Sequence, residues 1–144
     1  MEKNYIIRPV RVEDYPTLIK WWEYYKDIEV PDSGLLPNKG LGGFVVEKEG
    51  KIIAAAYVYL TNSDIGYVDY LISDPDYKNR DRYEMIIDLI QTCSEVALEE
   101  GCRMVWAMTT YKGVVSRCQE LGYNVLPEKY HLIYTHHKAY EKLK

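Results

Sequence analysis

The chain has 144 residues, 47% of them hydrophobic and 28% charged. Domains commonly run to roughly 100–150 residues, so residues 1–144 read as one domain that can bury a core without disulfide or metal staples. Lys+Arg 18 against Asp+Glu 22 leaves a formal net charge of -4, which argues against a general nucleic-acid binder, whose surface is basic.

Tyr5–Val10 alternates weakly and reads as a short strand. Asp14 precedes a helix to about Tyr25. Tyr15, Leu18, Ile19 and Trp22 give that helix an apolar face, and Pro16 sits in its first turn, where a missing N–H costs little. Lys26–Gly43 carries Pro31, Gly34, Pro37, Gly40, Gly42 and Gly43 and is the one long irregular stretch. A connection of that length in a compact domain is usually functional or mobile. Phe44–Glu47 and Ile52–Leu60 are strands around the hairpin signal Lys48-Glu49-Gly50-Lys51. The turn Thr61-Asn62-Ser63-Asp64 leads to a strand over Tyr67–Ser73, which Asp74-Pro75-Asp76 ends.

Arg82–Glu99 is the clearest helix. Tyr83, Ile86, Ile87, Ile90, Cys93 and Ala97 form its stripe, Met85, Leu89 and Val96 broaden it, and Gly101 stops it. Arg103–Met108 reads as a strand. A helix over about Lys112–Leu121 ends at Gly122. Tyr123–Leu126 and Tyr130–Thr135 read as final strands, and residues 138–144 are a polar tail. The order β-α-loop-β-β-β-α-β-α-β-β implies an α/β domain: a mixed, mostly antiparallel sheet of six to seven strands with helices on its faces.

Met1-Glu2-Lys3-Asn4 opens no secretory signal, and no apolar run approaches the ~20 residues of a membrane span. Cys93, Cys102 and Cys118 form no CxxC and are odd in number, as suits a reducing, cytoplasmic setting. His131, His136 and His137 lack partners at zinc-site spacing, so no metal site is expected. The composition oddity is 15 Tyr against one Phe, Phe44.

Four stretches carry a family likeness. They are Ile7-Arg8-Pro9 with Glu13-Asp14-Tyr15-Pro16, Phe44–Glu47 with Gly50–Ala54, Leu71-Ile72-Ser73-Asp74-Pro75-Asp76-Tyr77, and Cys118-Gln119-Glu120-Leu121-Gly122-Tyr123. In order and spacing they resemble the GNAT superfamily of acyl-CoA-dependent N-acyltransferases over roughly Tyr5 to Thr135. With the Thr61-Asn62-Ser63 turn, the pattern is also similar to GNAT-like proteins of phages. The resemblance implies acetyl-CoA as co-substrate and a small-molecule or peptide amine as acceptor, with no nucleic acid or membrane partner. It also allows a homodimer.

In that family a glycine-bearing loop brings backbone amides to the cofactor's diphosphate at a helix N-terminus. The matching stretch here is Lys78-Asn79-Arg80-Asp81-Arg82-Tyr83, with Asp81 and Tyr83 where the family has glycine. Two readings stay open. Asn79 and Asp81 tolerate a left-handed backbone, while Lys78, Arg80 and Arg82 supply positive charge. Alternatively, Asp81-Arg82-Tyr83-Glu84 is a capping box whose carboxylate occupies the amides that phosphate needs.

The resemblance further implies that Leu71, Ile72 and Ser73 line the acyl-pantetheine arm. Asp69, the one acid in Tyr67–Ser73, is the candidate general base. By strict alternation it shares a face with Tyr67, Leu71 and Ser73. Cys118 stands where the family places a thiolate-protonating Tyr, and Tyr111 where it often has Asn. Trp21, Tyr25 and residues of Lys26–Gly43 are candidates for an aromatic acceptor rim. Two functions follow: acetyl transfer to a primary amine, or a GNAT-fold binding module that no longer uses CoA.

Overall fold

The structure is a computed structural model that describes residues 3–25, 29–108, 112–126, 128 and 133. Five strands form one sheet in chain order: β1 (Ile6–Pro9), β2 (Gly43–Lys48), β3 (Lys51–Leu60), β4 (Ile65–Ser73) and β5 (Met104–Trp106). Neighbours run antiparallel except β4 and β5, which are parallel. Helix α1 (Tyr15–Tyr24) covers one face, α2 (Arg82–Glu99) covers the other, and α3 (Lys112–Glu120) packs on α2.

Among the described residues the sheet has five strands, not the six to seven expected. Tyr123–Leu126 is not a strand. Gly122 ends α3 with φ 88° and the Tyr123 amide turns back to the Cys118 carbonyl at 3.0 Å, so the chain closes a helix cap instead. The candidate strand Tyr130–Thr135, apart from Ile133, lies outside the described residues, as do Lys26, His131, His136, His137 and the tail.

Period-two side-chain alternation builds two cores. On the α2 face, Val46, Ala54, Ala56, Val58 and Val68 meet Met85, Leu89, Cys93 and Ala97. On the α1 face, Val45, Ala55, Tyr57 and Ile72 meet Leu18, Trp21 and Trp22. The hairpin between β2 and β3 has Glu49 at φ 51° and Gly50 at φ 77°, the left-handed pair of a two-residue turn whose twist matches the strands.

The tyrosine excess has a local cause. The segment from residue 29 to 42 is irregular, so its carbonyls need donor partners from elsewhere. The Tyr57 hydroxyl donates to the Gly40 carbonyl at 3.0 Å, and that of Tyr59 to the Leu35 carbonyl at 2.9 Å. At the end of α1, the Tyr25 hydroxyl donates to the Ser73 carbonyl at 3.3 Å. A phenylalanine would bury the same ring and leave these carbonyls unpaired. Gly40, at φ 94°, lies so close to the Tyr15 ring that a Cβ would come within 2.5 Å of it.

A buried ion pair fixes β1 to the start of α1. Arg8 Nη1 and Nη2 donate to both Asp14 carboxylate oxygens at 2.8 and 2.9 Å, and Arg8 Nε donates to Glu47 at 3.2 Å. Burial alone would raise the Asp14 carboxyl, but its bonds from Arg8 and the Arg11 amide outweigh that and hold it below the usual carboxylate range.

Asp14→Asn opposes buried Arg8 with a neutral partner and should cost about 3–5 kcal/mol in urea unfolding. The folded pKa of Asp14 lies below its unfolded one. Its contribution is therefore complete at neutral pH and fades as pH falls below about 4. The wild type should lose stability on acidification more steeply than Asp14→Asn, and parallel curves would contradict the pairing. Separately, Tyr57→Phe should cost about 1–3 kcal/mol by stranding the Gly40 carbonyl. Tyr24→Phe, at a residue 63% exposed, should leave the unfolding midpoint in place. Equal losses would rule out the stapling role.

Candidate functional site

The site begins where two strands part. β4 pairs with β5 over Ile65–Tyr67 against Met104–Trp106, and the ladder stops there. β4 runs on to Ser73, so its edge from Asp69 to Ser73 has no strand beside it among the described residues. A polar backbone edge of this kind takes an extended ligand as readily as a strand.

A bulge sits in that stretch. Ala55 pairs with Ile72 and Tyr57 with Asp69, so two steps on β3 match three on β4. Tyr70 takes the extra place with φ 52°, and its amide donates to Asp69 Oδ1 at 2.7 Å. This corrects the face expected for Asp69. Strict alternation puts it with Leu71 and Ser73. The bulge resets the count, so Asp69, cross-strand from Tyr57, lies on the α1 face with Tyr70. Leu71 packs toward α2 and α3, Ile72 is buried on the α1 face, and Ser73 faces α2.

Asp69 is open to solvent, yet the protein around its carboxyl raises the pKa, opposed by the bond from the Tyr70 amide. Tyr59 and Tyr70 flank it closely enough for its charge to raise their hydroxyl pKa values further, on top of burial. Cross-strand from Tyr59, Tyr67 stands edge-on to Trp106, ring centroids 5.5 Å apart. An acid among aromatic rings suits a cationic amine. The rim expected from Trp21 is not formed by it: Trp21 is 5% exposed and Trp22 1%, both in the core. Tyr25 does reach the end of β4, through the Ser73 carbonyl.

At the same end of β4 lies the start of α2. Neither open reading of the loop describes it. Asn79 and Asp81 are not left-handed; Asp81 has φ -69° and ψ -11°. Nor does the Asp81 side chain cap α2. Its carboxylate accepts from Lys48 Nζ at 2.7 Å and from the Tyr77 hydroxyl at 2.7 Å, and Lys48 also meets Tyr77 at 3.1 Å. These bonds lower the Asp81 pKa, Lys48 first and Tyr77 next. Lys48 on β2 takes one oxygen of the carboxylate as an ion pair and Tyr77 takes the other, so neither is left for the helix amides.

The consequence is an open helix N-terminus. The Arg82 amide bonds the Asn79 carbonyl and the Met85 amide bonds the Asp81 carbonyl. The Tyr83 and Glu84 amides have no acceptor among the described residues. Free amides and the helix dipole make that end anion-seeking. Lys78, Asn79 and Arg80 are exposed around it, and Arg82 Nη2 donates to Ser73 Oγ at 2.6 Å. Tyr83, expected in the apolar stripe of α2, is exposed with its ring under the Arg117 guanidinium, 4.5 Å from centroid to carbon.

Cys118 is buried between α2 and α3 with Ile86, Ile90 and Leu71, and burial pushes its thiol pKa up. Tyr111 lies outside the described residues. Lys48, Tyr77 and Arg117 were not among the expected site residues. Arg117 carried a readable signal: it interrupts the apolar stripe Val114, Cys118, Leu121. Lys48 and Tyr77 carried none, being joined to Asp81 only by the fold.

No protein-family model matches the sequence. No curated protein matches it either. Solved structures do match in fold. N-acetylglutamate synthase from Neisseria gonorrhoeae, complexed with coenzyme A and N-acetyl-glutamate, superposes with TM-score 0.68 at 17% identity over 83% of this chain. The match spans only 28% of that synthase. An aminoglycoside acetyltransferase from an uncultured soil metagenomic sample, in complex with sisomicin, gives 0.65 at 21% identity, covering 92% of this chain and 96% of the other. A predicted acetyltransferase from Clostridium acetobutylicum with acetyl-CoA gives 0.61 at 14% identity, over 90% and 96%. The chain therefore has the GNAT fold of these acetyltransferases. The likeness to phage proteins rests on the sequence alone.

If Lys48 and Asp81 act as one pair, Lys48→Met and Asp81→Ala should each lower the melting temperature, and the double variant should lose no more than the worse single. Losses that simply add would show the two residues to be independent.

Proposed function

We propose that this chain is an acetyl-CoA-dependent N-acetyltransferase acting on a primary amine of a small molecule or peptide. The observation that carries the reading is the parting of β4 from β5 beside an open α2 N-terminus. One end offers a backbone edge to an acyl-pantetheine arm, the other an anion site to its diphosphate. The relatives in fold that were solved with coenzyme A or acetyl-CoA support it.

The residues divide the work by face. Leu71, Ile72 and Ser73 supply the edge that orients the thioester. The Tyr83 and Glu84 amides, with Lys78 and Arg80 nearby, receive phosphate charge. The left-handed Tyr70 turns Asp69 toward the α1 face, where an acceptor arrives among Tyr59, Tyr67 and Trp106. The amine nitrogen forms its bond to the thioester carbon, the C–S bond breaks, and the nitrogen's proton passes to the Asp69 carboxylate directly or through water. The departing thiolate takes up a proton, for which Tyr111 is the candidate phenol. Cys118 serves in packing. The aminoglycoside-bound relative supports a cationic acceptor.

A non-catalytic binding module is the second reading, and the replaced loop glycines favour it. The two separate on turnover. Release of free CoA thiol from acetyl-CoA should occur with an amine panel including aminoglycosides and lysine peptides. Asp69→Asn keeps the oxygen that holds the Tyr70 amide, so the fold should persist while kcat falls by about 10²–10⁴-fold. In the wild type kcat/KM should rise with pH through the raised Asp69 pKa, because the ionised form is the base, and that limb should vanish in Asp69→Asn. No thiol release with any amine, or an Asp69→Asn variant as active as wild type, would overturn the assignment.

A further inference from the structure

Two arginines stand at the α2–α3 seam, Arg117 over the ring of Tyr83, the chain neighbour of Arg82. Arg82 comes from the first turn of α2 and Arg117 from α3. Neither meets a carboxylate among the described residues; the six ion pairs there use Lys3, Arg8, Lys48 and Arg103. Among the described residues the Nε of each is buried without a hydrogen-bond partner. Burial first, and the Arg82 charge second, push the Arg117 pKa down, so the two cations feel each other. Arg117 is held in place by the Tyr83 ring below it and by Gly113 beside it, where a Cβ would come within 2.7 Å of Nη1. Arg82 is held by Ser73 Oγ.

Such an arrangement is unfavourable as it stands. Like charges are paired, and two fork-shaped donors each keep an unused N–H. A dianion with several acceptor oxygens relieves the like-charge contact, because the Nη donors of each guanidinium can bind a phosphate in a two-bond fork. The position agrees with that. The pair adjoins the free Tyr83 and Glu84 amides on one side and the end of β4 on the other.

We propose that Arg82 and Arg117 form a paired-guanidinium clamp for a diphosphate. The clamp adds side chains from two helices to the free α2 amides, beside a loop in which Asp81 and Tyr83 stand in place of glycine. The identity of its natural ligand as acyl-CoA rests on the function proposed above; the anion chemistry of the clamp does not.

The test uses the full chain, wild type and Arg117→Gln, with Arg82→Gln as a second variant. Calorimetry with inorganic pyrophosphate should give saturable binding to wild type, weakened at least about tenfold in either variant, as loss of a charge-assisted fork requires. Acetyl-CoA affinity should fall comparably and lose part of its salt dependence. Binding of acetylpantetheine, which lacks the diphosphate, should be unchanged by Arg117→Gln. The ligand-free melting temperature of Arg117→Gln should hold or rise, because a like-charge contact is relieved. Pyrophosphate bound equally by wild type and both variants, or by none of them, overturns the clamp. So does a fall in ligand-free melting temperature with binding intact, which makes Arg117 a packing residue. Pyrophosphate binding that depends on Arg117 while wild type ignores acetyl-CoA keeps the clamp and overturns the acyl-CoA reading. Acetyl-CoA binding that ignores Arg117 does the reverse.

Discussion

Tyr70 sits in left-handed backbone at φ 52°, which costs a residue with a Cβ roughly 1–2 kcal/mol. The chain sustains it because three things hold it there: the Asp69 carboxylate on its own amide, the ring in the α1-side core against Trp22, and the β3 register on either side. What that strain obtains is a bulge, and the bulge sorts the site. It turns Asp69 and Tyr70 to one face and sends Leu71 and Ser73 to the other. The β5 ladder has already ended at Tyr67, so the bulged edge is left open. The acceptor side and the cofactor side of the proposed reaction are thus separated by one extra residue in a strand.

The rest of the architecture steadies that edge from both faces. On the α1 face tyrosine hydroxyls tie irregular chain to the sheet, Tyr57 to Gly40 and Tyr59 to Leu35, and Tyr25 joins the end of α1 to the end of β4. On the α2 face, Lys48 reaches across from β2 to hold the Asp81 carboxylate. That contact decides the character of the α2 N-terminus. With Asp81 drawn aside the helix end is electropositive and free; with Asp81 folded onto it, it would be capped and closed to phosphate. The fifteen tyrosines of the composition thus include several whose hydroxyl, more than the ring, explains their presence.

Much of this was legible in the residues. The α2 stripe, the Lys48–Lys51 hairpin and the stop at Gly122 are local signals, and local signals survive into the fold. The order of elements carried the family likeness for the same reason. What escaped was non-local. Alternation cannot register an inserted residue, so Asp69 was wrongly grouped with Leu71 and Ser73. A capping box is a pattern of four neighbours and takes no account of a lysine 33 positions away. Trp21 looks like a rim residue in isolation, but a ten-residue helix between a sheet and an irregular segment turns it inward beside Trp22. The strand expected over Tyr123–Leu126 failed where a glycine cap, visible as Gly122, redirected the chain.

The central claim is that one extended ligand runs from the open edge of β4 to the free amides of α2. Amide chemical-shift mapping of the full chain on titration with acetyl-CoA addresses it residue by residue. Saturable shifts should concentrate at Asp69–Ser73 and at Arg82–Glu84, with the outer face of the β2–β3 hairpin turn unmoved. Absence of shifts at millimolar acetyl-CoA, or saturable shifts that leave both segments untouched, would contradict it.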